Sequence, residues 1–250
     1  MPQRRAGSRV APNVRTEGKG RAMGMIVKPL YTPRYVPTGN EVAVFETSKG
    51  TIRARLFGKD APVTVGNFVE LAQKGFYDHQ NFHGRVEGDV VVGGCPVTRP
   101  LRPQQVRMAV REQLRGIHPG VGDPGYVIKD EWTENPNNHH VAGALSLTHK
   151  TKPDSGSCQF FFSLADHPEY DDRFTVFGNV VEGLDVVQSL RIGDEIKSIA
   201  IEGAHALPDD DALPETITVR NDEGEEQTAP NPDYLAMQAL GKLLGKKVAI

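Results

Sequence analysis

The chain has 250 residues, of which 38% are hydrophobic and 24% are charged, and its formal net charge is −3. This length and composition predict a soluble protein with one medium-sized domain and extensions, and the small negative charge gives no general argument for nucleic-acid binding. Two cysteines, Cys95 and Cys158, are too few for a disulfide framework and lack the spacing of metal ligands. No segment has the ~18 consecutive apolar residues of a membrane span or the apolar core of a secretory signal, so we expect a cytoplasmic protein without a membrane partner.

The chain begins with a basic segment. Residues 1 to 24 contain six arginine or lysine residues and one glutamate, and a proline-containing stretch follows. This composition predicts a disordered tail and an extended lead-in over residues 1–38. Such a tail is a candidate contact for an acidic or nucleic-acid partner, although residues 1 to 30 carry no aromatic side chain for base stacking.

The folded domain is expected over residues 39–206. From Glu41, two alternating segments on either side of a Ser-Lys-Gly turn predict a β-hairpin. A helix is then predicted from Pro62 to Gly75, because apolar residues recur at helical spacing between a proline near its start and a glycine at its end. The apolar face of this helix consists of Val65, Phe68, Val69 and Ala72.

A second helix is predicted over residues 102–116, with Pro103 in its first turn and Gly116 at its end. It would align Arg107, Arg111 and Arg115 at intervals of four residues, as one basic stripe. Such a stripe can bind an acidic partner or phosphates, and an ordinary solvated helix face is the alternative.

Short β-like segments follow, among them "GYVIKDEW", "VAGALSLT", "CQFFFSLA" and "RFTVFGNVV", then a helix over Leu184 to Gly193 and a last strand in "IKSIAIEGA". Many short strands with few helices predict a mainly β, largely antiparallel barrel or sandwich. Residues 207–250 are acidic and proline-rich and then amphipathic, which predicts a linker and a short C-terminal helix.

Four blocks of sequence carry a family resemblance. They are "PVTVGNFVELAQKGFY", "FHGRV…VVVGGCP", "GALSLT…PDSGSCQFFFSLADHPEYDDRFTVFGNVVEGLDVV" and "IKSIAIEG". In this order and spacing the chain resembles cyclophilin-type peptidyl-prolyl cis-trans isomerases over about residues 41 to 203. The resemblance implies a closed eight-stranded antiparallel barrel capped by two helices, a peptide groove on its outer face, and proline-containing polypeptides as substrates. Relative to the shorter family loop after Gly93 and Gly94, the helix over residues 102–116 is an insertion.

Rotation about an X-Pro bond must overcome a barrier of ~20 kcal/mol that amide resonance creates, and it needs no cofactor or metal. An apolar pocket must hold the proline ring, and a cation that donates to the prolyl nitrogen would stabilise the twisted amide. The family uses one arginine for this purpose, surrounded by glutamine, asparagine and aromatic residues.

The resemblance assigns Gln159 to the groove glutamine and Phe161 to the pocket phenylalanine. The two residues alternate along one strand and therefore share a face. A solvated glutamine and a core phenylalanine are the alternatives. The family's tryptophan is replaced by Glu169. The other substrate-binding candidates, at positions that depart from the family pattern, are Val90, His149, Tyr170 and Phe174.

The catalytic arginine can be aligned in two ways, because the family motif Phe-His-Arg-Val appears here as Phe-His-Gly-Arg-Val. An ungapped alignment places Gly84 at the arginine position and turns Arg85 to the other face of the strand. A β-bulge at Gly84 would return Arg85 to the groove, and we favour this alternative. Val92 replaces a second groove glutamine, so the groove has one polar side chain fewer than the family pattern.

The leading hypothesis is an isomerase of full or reduced activity, with Arg85 as catalyst, Gln159 as a substrate-orienting donor and Phe161 in the proline pocket. The alternative is a cyclophilin-like module that binds peptides or proteins with little or no catalysis. A third hypothesis is a nucleic-acid-associated protein tethered by its basic tail.

Overall fold

The computed structural model describes residues 28–150 and 152–207, and the backbone of residues 216–220 and 226–230. Within these ranges the fold is mainly β. The strands of the main sheet are β1 (Val42–Thr47), β2 (Gly50–Leu56), β3 (Gln80–Asn81), β4 (Gly84–Val86), β5 (Val90–Gly93), β6 (Ala144–Leu147), β7 (Phe160–Ser163), β8 (Val176–Glu182) and β9 (Glu195–Glu202). They form one curled antiparallel sheet in the order β3-β9-β1-β2-β8-β6-β7-β5-β4.

The predicted mainly β, antiparallel class is confirmed, with nine strands in the main sheet instead of eight. The extra strand arises because the chain passes from one part of the sheet to another around Phe82. β3 pairs with β9, whereas β4 pairs with β5. Between them, the Phe82 N–H donates to the Asp194 carbonyl at 2.9 Å, and its own carbonyl accepts from the Gly193 N–H at 2.8 Å. These bonds join the two ends of the curled sheet.

Two helices, α1 (Pro62–Gln73) and α3 (Leu184–Ser189), pack against the sheet. Helix α2 (Pro103–Val110) lies in residues 94–143, between β5 and β6, which we call the inserted segment. The apolar face predicted for α1 is buried in the core. Its first turn is capped from far along the chain, because the Glu131 carboxylate accepts from the backbone N–H groups of Val63 and Thr64 at 3.0 and 2.8 Å.

Helix α2 is shorter than predicted. It ends at Val110, and Glu112 adopts a left-handed conformation with φ of 58°. Arg115 is therefore not on the same helix face as Arg107 and Arg111, and the predicted three-arginine stripe is wrong. The helix over Leu184 to Gly193 also ends early, at Ser189. The "GYVIKDEW" segment forms isolated bridges through Val127 and Ile128 instead of a strand.

The core is built from aromatic rings that project from alternating strand positions. Phe160 and Phe162 are fully buried on one face of β7, where they contact Phe45 with ring-centroid separations of 5.6 and 5.3 Å. The lead-in packs onto this domain: the Glu70 carboxylate on α1 accepts from the Tyr31 hydroxyl at 2.5 Å and the Tyr35 N–H at 2.8 Å.

Past residue 207, the backbone of β10 (Thr216–Arg220) pairs antiparallel with that of β11 (Glu226–Pro230), inside the segment that we predicted to be a linker. The β-branched run from Thr216 to Val219 favours a strand. The predicted C-terminal helix and the basic segment of residues 1 to 24 lie outside the described residues. Of the helices in the described part, none is long and apolar enough to cross a membrane.

Candidate active site

The register of three neighbouring strands decides which side chains share the outer face of the sheet. Gly84 pairs with Val92, Val92 pairs with Phe161, and Phe161 pairs with Ser146. Directly paired residues of an antiparallel sheet point to the same face. Gly84, Val92 and Phe161 therefore form one row, and this row is the floor of the candidate groove.

Arg85 belongs to the opposite face. It pairs with Val91, which pairs with the core residue Phe162. The pairing of β4 with β5 runs in unbroken register from Gly84 to Val86 and keeps Arg85 on the core face, so the predicted return of Arg85 to the groove by a bulge is wrong. The structure agrees with the ungapped alignment, which places Gly84 at the position of the family arginine.

Bonds to the end of α3 explain why Arg85 is held there. Its guanidinium donates to both carboxylate oxygens of Glu87, each at 3.0 Å, to the Leu190 carbonyl at 2.9 Å and to the Gln188 carbonyl at 3.3 Å. A cation is favourable beside the carbonyls that end a helix. The side chain of Arg85 is only 8% exposed, and this position gives no support to the predicted catalytic role.

At the position that corresponds to the family arginine, the groove has only small apolar groups. A Cβ atom added to Gly84 would lie 3.0 Å from both Cβ and Cγ2 of Val92. The valine therefore fills the space into which a longer side chain at residue 84 would have to extend. This row lacks a charged or hydrogen-bonding side chain from Gly84 to Phe161.

The other side of the groove is aromatic. The ring centroid of Phe161 lies 5.4 Å from that of Phe174 and 6.3 Å from that of Tyr170, and all three rings meet edge to face. Phe161 is 4% exposed, whereas Tyr170 and Phe174 are half-buried. These rings form an aromatic pocket that opens to solvent.

The remaining predicted substrate-binding residues border this aromatic pocket. Val90 shares the outer face with Val92 and is half-buried. The ring of His149 lies 4.7 Å from that of Phe174, and its Nε2 is 2.5 Å from the Arg173 carbonyl. The structure thus brings His149, Tyr170 and Phe174 together with Phe161, and Val90 lies on the same face of the sheet. Their roles in substrate binding stay predictions.

His140 forms the back of the aromatic pocket, a role that was not predicted from the sequence. Its side chain is fully buried and its ring stacks on Phe161, with centroids 5.8 Å apart and planes 14° apart. The His140 Nδ1 lies 2.9 Å from the Asp171 carboxylate, and burial lowers the pKa of His140. A neutral imidazole held by Asp171 therefore supports the Phe161 ring.

Gln159 lies at the other side of the groove and is held by the inserted segment. Its Nε2 donates to the carbonyls of Gly120 and Gly122 at 2.9 and 2.8 Å. Since the amide nitrogen is used in this way, the oxygen of Gln159 accepts from His83 Nε2 at 3.1 Å. Burial lowers the pKa of His83 to about 4, so this histidine is neutral at pH 7. Both hydrogens of the predicted donor are thus engaged within the protein.

The Asp89 carboxylate lies beside Tyr170 at the rim of the aromatic pocket. The Tyr170 hydroxyl donates to the Asp89 carboxylate at 3.1 Å. Burial and this carboxylate together raise the pKa of Tyr170. Asp89, in the turn between β4 and β5, therefore holds the Tyr170 side chain in place.

A cavity of about 230 Å³ lies beside Gln159 and extends over Val92, Thr148 and Ser157. It is also lined by His149 and therefore continues the groove from the edge of the aromatic pocket. An extended peptide can thus lie across β5 and β7, with one side chain in the aromatic pocket and its neighbours above the cavity.

Comparison with known proteins gives the family. The family model described as cyclophilin type peptidyl-prolyl cis-trans isomerase/CLD matches residues 42–206. The chain is 38% identical over 164 residues to a peptidyl-prolyl cis-trans isomerase of Helicobacter pylori, an alignment that covers 65% of this chain and 87% of that protein. It is 42% identical over 161 residues to one from Synechococcus elongatus, covering 64% and 94% of the two chains.

Among solved structures, the chain is similar in fold to a cyclophilin type peptidyl-prolyl cis-trans isomerase of Cryptosporidium parvum. The TM-score is 0.52 at 22% identity, over 67% of this chain and 99% of that one. At this identity the likeness concerns the fold alone.

Proposed function

The chain belongs to the cyclophilin-type peptidyl-prolyl cis-trans isomerase family and is a peptidyl-prolyl cis-trans isomerase, and from this premise we propose how its groove acts on an X-Pro bond. The proline ring of a polypeptide substrate enters the aromatic pocket formed by Phe161, Tyr170 and Phe174. The peptide bond before that proline lies over the row of Gly84, Val92 and Phe161. Turnover is slower than in a groove that carries an arginine in this row.

The aromatic pocket supplies binding. Burial of apolar surface contributes about 25 cal/mol per Å², so a proline ring that is covered by three aromatic edges is held firmly. Binding also takes the amide out of water. A planar amide is more charge-separated than a twisted one, and therefore an apolar groove disfavours the planar ground state relative to the twisted state.

The row of Gly84, Val92 and Phe161 has no side chain that can donate to the twisted amide and stabilise it specifically. Removal of one preorganised donor from an enzyme site costs about 10²–10³ in rate, and Gly84 and Val92 provide no side-chain donor. The neighbouring polar groups do not replace it, because His83 is neutral and the Gln159 amide is already bonded to the inserted segment. The observation that carries the proposal of a reduced rate is the register that places Gly84 opposite Val92.

One cation does lie beside the aromatic pocket. The Arg173 guanidinium carbon is 5.8 Å from the centroid of the Phe174 ring. Arg173 is exposed and approaches from the side of the aromatic pocket that Phe174 forms. It is therefore included as a separate variant in the test.

The test is the rate of isomerisation of a short Ala-Pro peptide, measured by exchange NMR for the wild type, Arg85→Ala and Arg173→Ala. We expect the wild type to catalyse the reaction, and both variants to retain its rate within about two-fold, since neither guanidinium lies over the row of Gly84 and Val92. A loss of ten-fold or more in Arg85→Ala would show that Arg85 reaches the substrate. The same loss in Arg173→Ala would identify Arg173 as the replacement cation.

The unoccupied arginine position also favours a second role, the binding of a peptide or protein partner with little turnover. Saturable binding of the Ala-Pro peptide with no measurable exchange would support this role over the proposed catalysis. A contact of the basic segment with an acidic or nucleic-acid partner, and a cytoplasmic location, both stay predictions.

A further inference from the structure

A second concave surface lies on the other side of β4 from the groove. It has a volume of about 330 Å³ and lies between β4, the end of α2 and the turn after α3. We call this surface the arginine cleft, because four of its lining residues are arginines: Arg85, Arg107, Arg111 and Arg191. Arg85 and Gly84 are neighbours in sequence, but their side-chain positions belong to opposite faces of the same strand.

The charges of the arginine cleft are not balanced. Glu87 is the one carboxylate among the described residues that line it, and both of its oxygens are bonded to Arg85 at 3.0 Å. Within residues 28–150 and 152–207, Arg107, Arg111 and Arg191 form no ion pair with a carboxylate. Four arginines and one glutamate line the cleft, so its lining has an excess of positive charge.

Backbone carbonyls hold three of the four guanidinium groups, those of Arg85, Arg107 and Arg191, in place without neutralising them. Arg191 donates to the carbonyls of Gln188 and Leu190 at 3.0 and 2.9 Å, and Arg107 donates to that of Ile192 at 3.3 Å. Arg85 donates to two of the same carbonyls. Mutual repulsion of fixed like charges is relieved when an anion binds, and preorganised side chains lose little entropy in the process.

The residues that line the arginine cleft determine which class of anionic ligand fits it. Planar guanidinium groups match the oxygens of carboxylates and phosphates in pairs. Apolar groups of Val110 and Ile192 also line the cleft, whereas no aromatic ring does so among the described residues. Recognition of single-stranded nucleic acid depends on aromatic stacking, so this lining suits a peptide better than a base.

We propose that the arginine cleft binds an acidic segment of a polypeptide, with neighbouring glutamate or aspartate side chains on its guanidinium groups and adjacent apolar atoms on Val110 and Ile192. This site is separate from the groove and its argument does not use the catalytic proposal. Because Gly84 and Arg85 lie back to back on one short strand, a substrate with an acidic stretch near its proline can contact both surfaces.

The test uses the full chain and a fluorescein-labelled peptide with four consecutive glutamates, with a matched peptide of four glutamines. Binding is followed by fluorescence anisotropy at low and high salt. The test variant is Arg107→Gln/Arg111→Gln. The control is Arg102→Gln/Arg115→Gln, which removes the same charge from the inserted segment but outside the cleft. All four substituted positions are exposed, and thermal melting confirms that each variant is folded.

We expect saturable binding of the glutamate peptide that weakens with salt, falls about ten-fold in the cleft variant and changes less than two-fold in the control. Arg107→Lys/Arg111→Lys should recover only part of the affinity, because lysine lacks the planar fork. Equal weakening in both variants would reduce the effect to net charge and overturn the proposal. Equal binding of the glutamine peptide, no measurable binding, or tighter binding of an RNA oligonucleotide through the same arginines would also overturn it.

Discussion

The two sides of the groove differ in what their side chains can do. The aromatic pocket keeps three rings in mutual contact and a buried histidine behind them. The row of Gly84 and Val92 has neither a charge nor a hydrogen-bonding side chain. In the proposed function, binding and electrostatic catalysis thus depend on separate parts of one surface.

The largest effect is expected on the aromatic side. Phe161→Ala removes the ring against which Phe174, Tyr170 and His140 pack, and the loss of a phenylalanine contact of about 3 kcal/mol corresponds to about a hundred-fold fall in kcat/KM. Exchange NMR at a temperature where the variant is folded measures this fall. Phe76→Ala, which removes a half-buried ring outside the groove, is the control. If the two variants lose activity equally, the effect is one of stability and the aromatic pocket has no special part in catalysis.

On the other side, a gain of activity is expected. Gly84→Arg/Val92→Gln places a guanidinium in the register position of the family arginine and removes the valine β-branch, whose Cγ2 lies 3.0 Å from a Cβ at residue 84. We expect the rate to rise about ten-fold, since a donor that acts on the twisted amide stabilises the transition state more than the ground state.

Two controls sharpen this second experiment. Val92→Gln alone tests the glutamine, and Val86→Arg/Val92→Gln puts the same charge on the same face two residues further along β4. A similar gain in the Val86 variant would mean that general electrostatic attraction, not a cation at residue 84, limits the rate.

A smaller effect is expected for Gln159→Ala. The change leaves the carbonyls of Gly120 and Gly122 and the Nε2–H group of His83 without their partner, and it should lower the free energy of unfolding by about 1–3 kcal/mol. The rate should fall only about three-fold, because the amide donates to the inserted segment in the free protein. Urea unfolding and exchange NMR measure the two effects, with the exposed Gln113→Ala as control. A rate loss as large as that of Phe161→Ala would show that Gln159 turns toward the substrate.

A change of pH is expected to have the smallest effect on the isomerisation rate. The pKa of folded His83 is about 4, below its unfolded value, so the unfolded chain takes up the proton first as pH falls. Stability should therefore decrease by about 1 kcal/mol per pH unit from pH ~6.5 to pH ~4.5, and part of this slope should vanish in His83→Gln. The rate should stay constant between pH ~6 and pH ~8. A rate that rises on acidification with a midpoint near pH 6.5 would mean that a protonated histidine replaces the arginine.

Much of the fold followed from local patterns. The hairpin of β1 and β2 and the position of α1 were predicted from alternation, helical spacing and terminal residues, because these features depend on neighbours along the chain. The residues around Phe161 were proposed through the family resemblance. The early end of α2 at Val110 escaped prediction because Gly116 offered an equally good terminator six residues later.

The position of Arg85 could not be predicted in this way. Both alignments of Phe82 to Val86 fit the sequence, and the choice depends on the pairing of three strands and on carbonyls of residues 188 and 190, more than a hundred positions away. The same applies to His140, whose stacking on Phe161 joins two segments that are distant in the sequence.

The most direct test of the account is whether a bound X-Pro peptide meets Gly84 or Arg85. An Ala-Pro peptide is titrated into ¹⁵N-labelled protein while the backbone amides and the Arg85 Nε–H signal are followed by NMR. We expect the amides of Gly84, Val92 and Phe161 to shift and to show contacts with the proline ring, while the Arg85 Nε–H, bonded to Glu87, stays unchanged. Movement of the Arg85 signal together with contacts from the proline ring to its side chain would contradict the account.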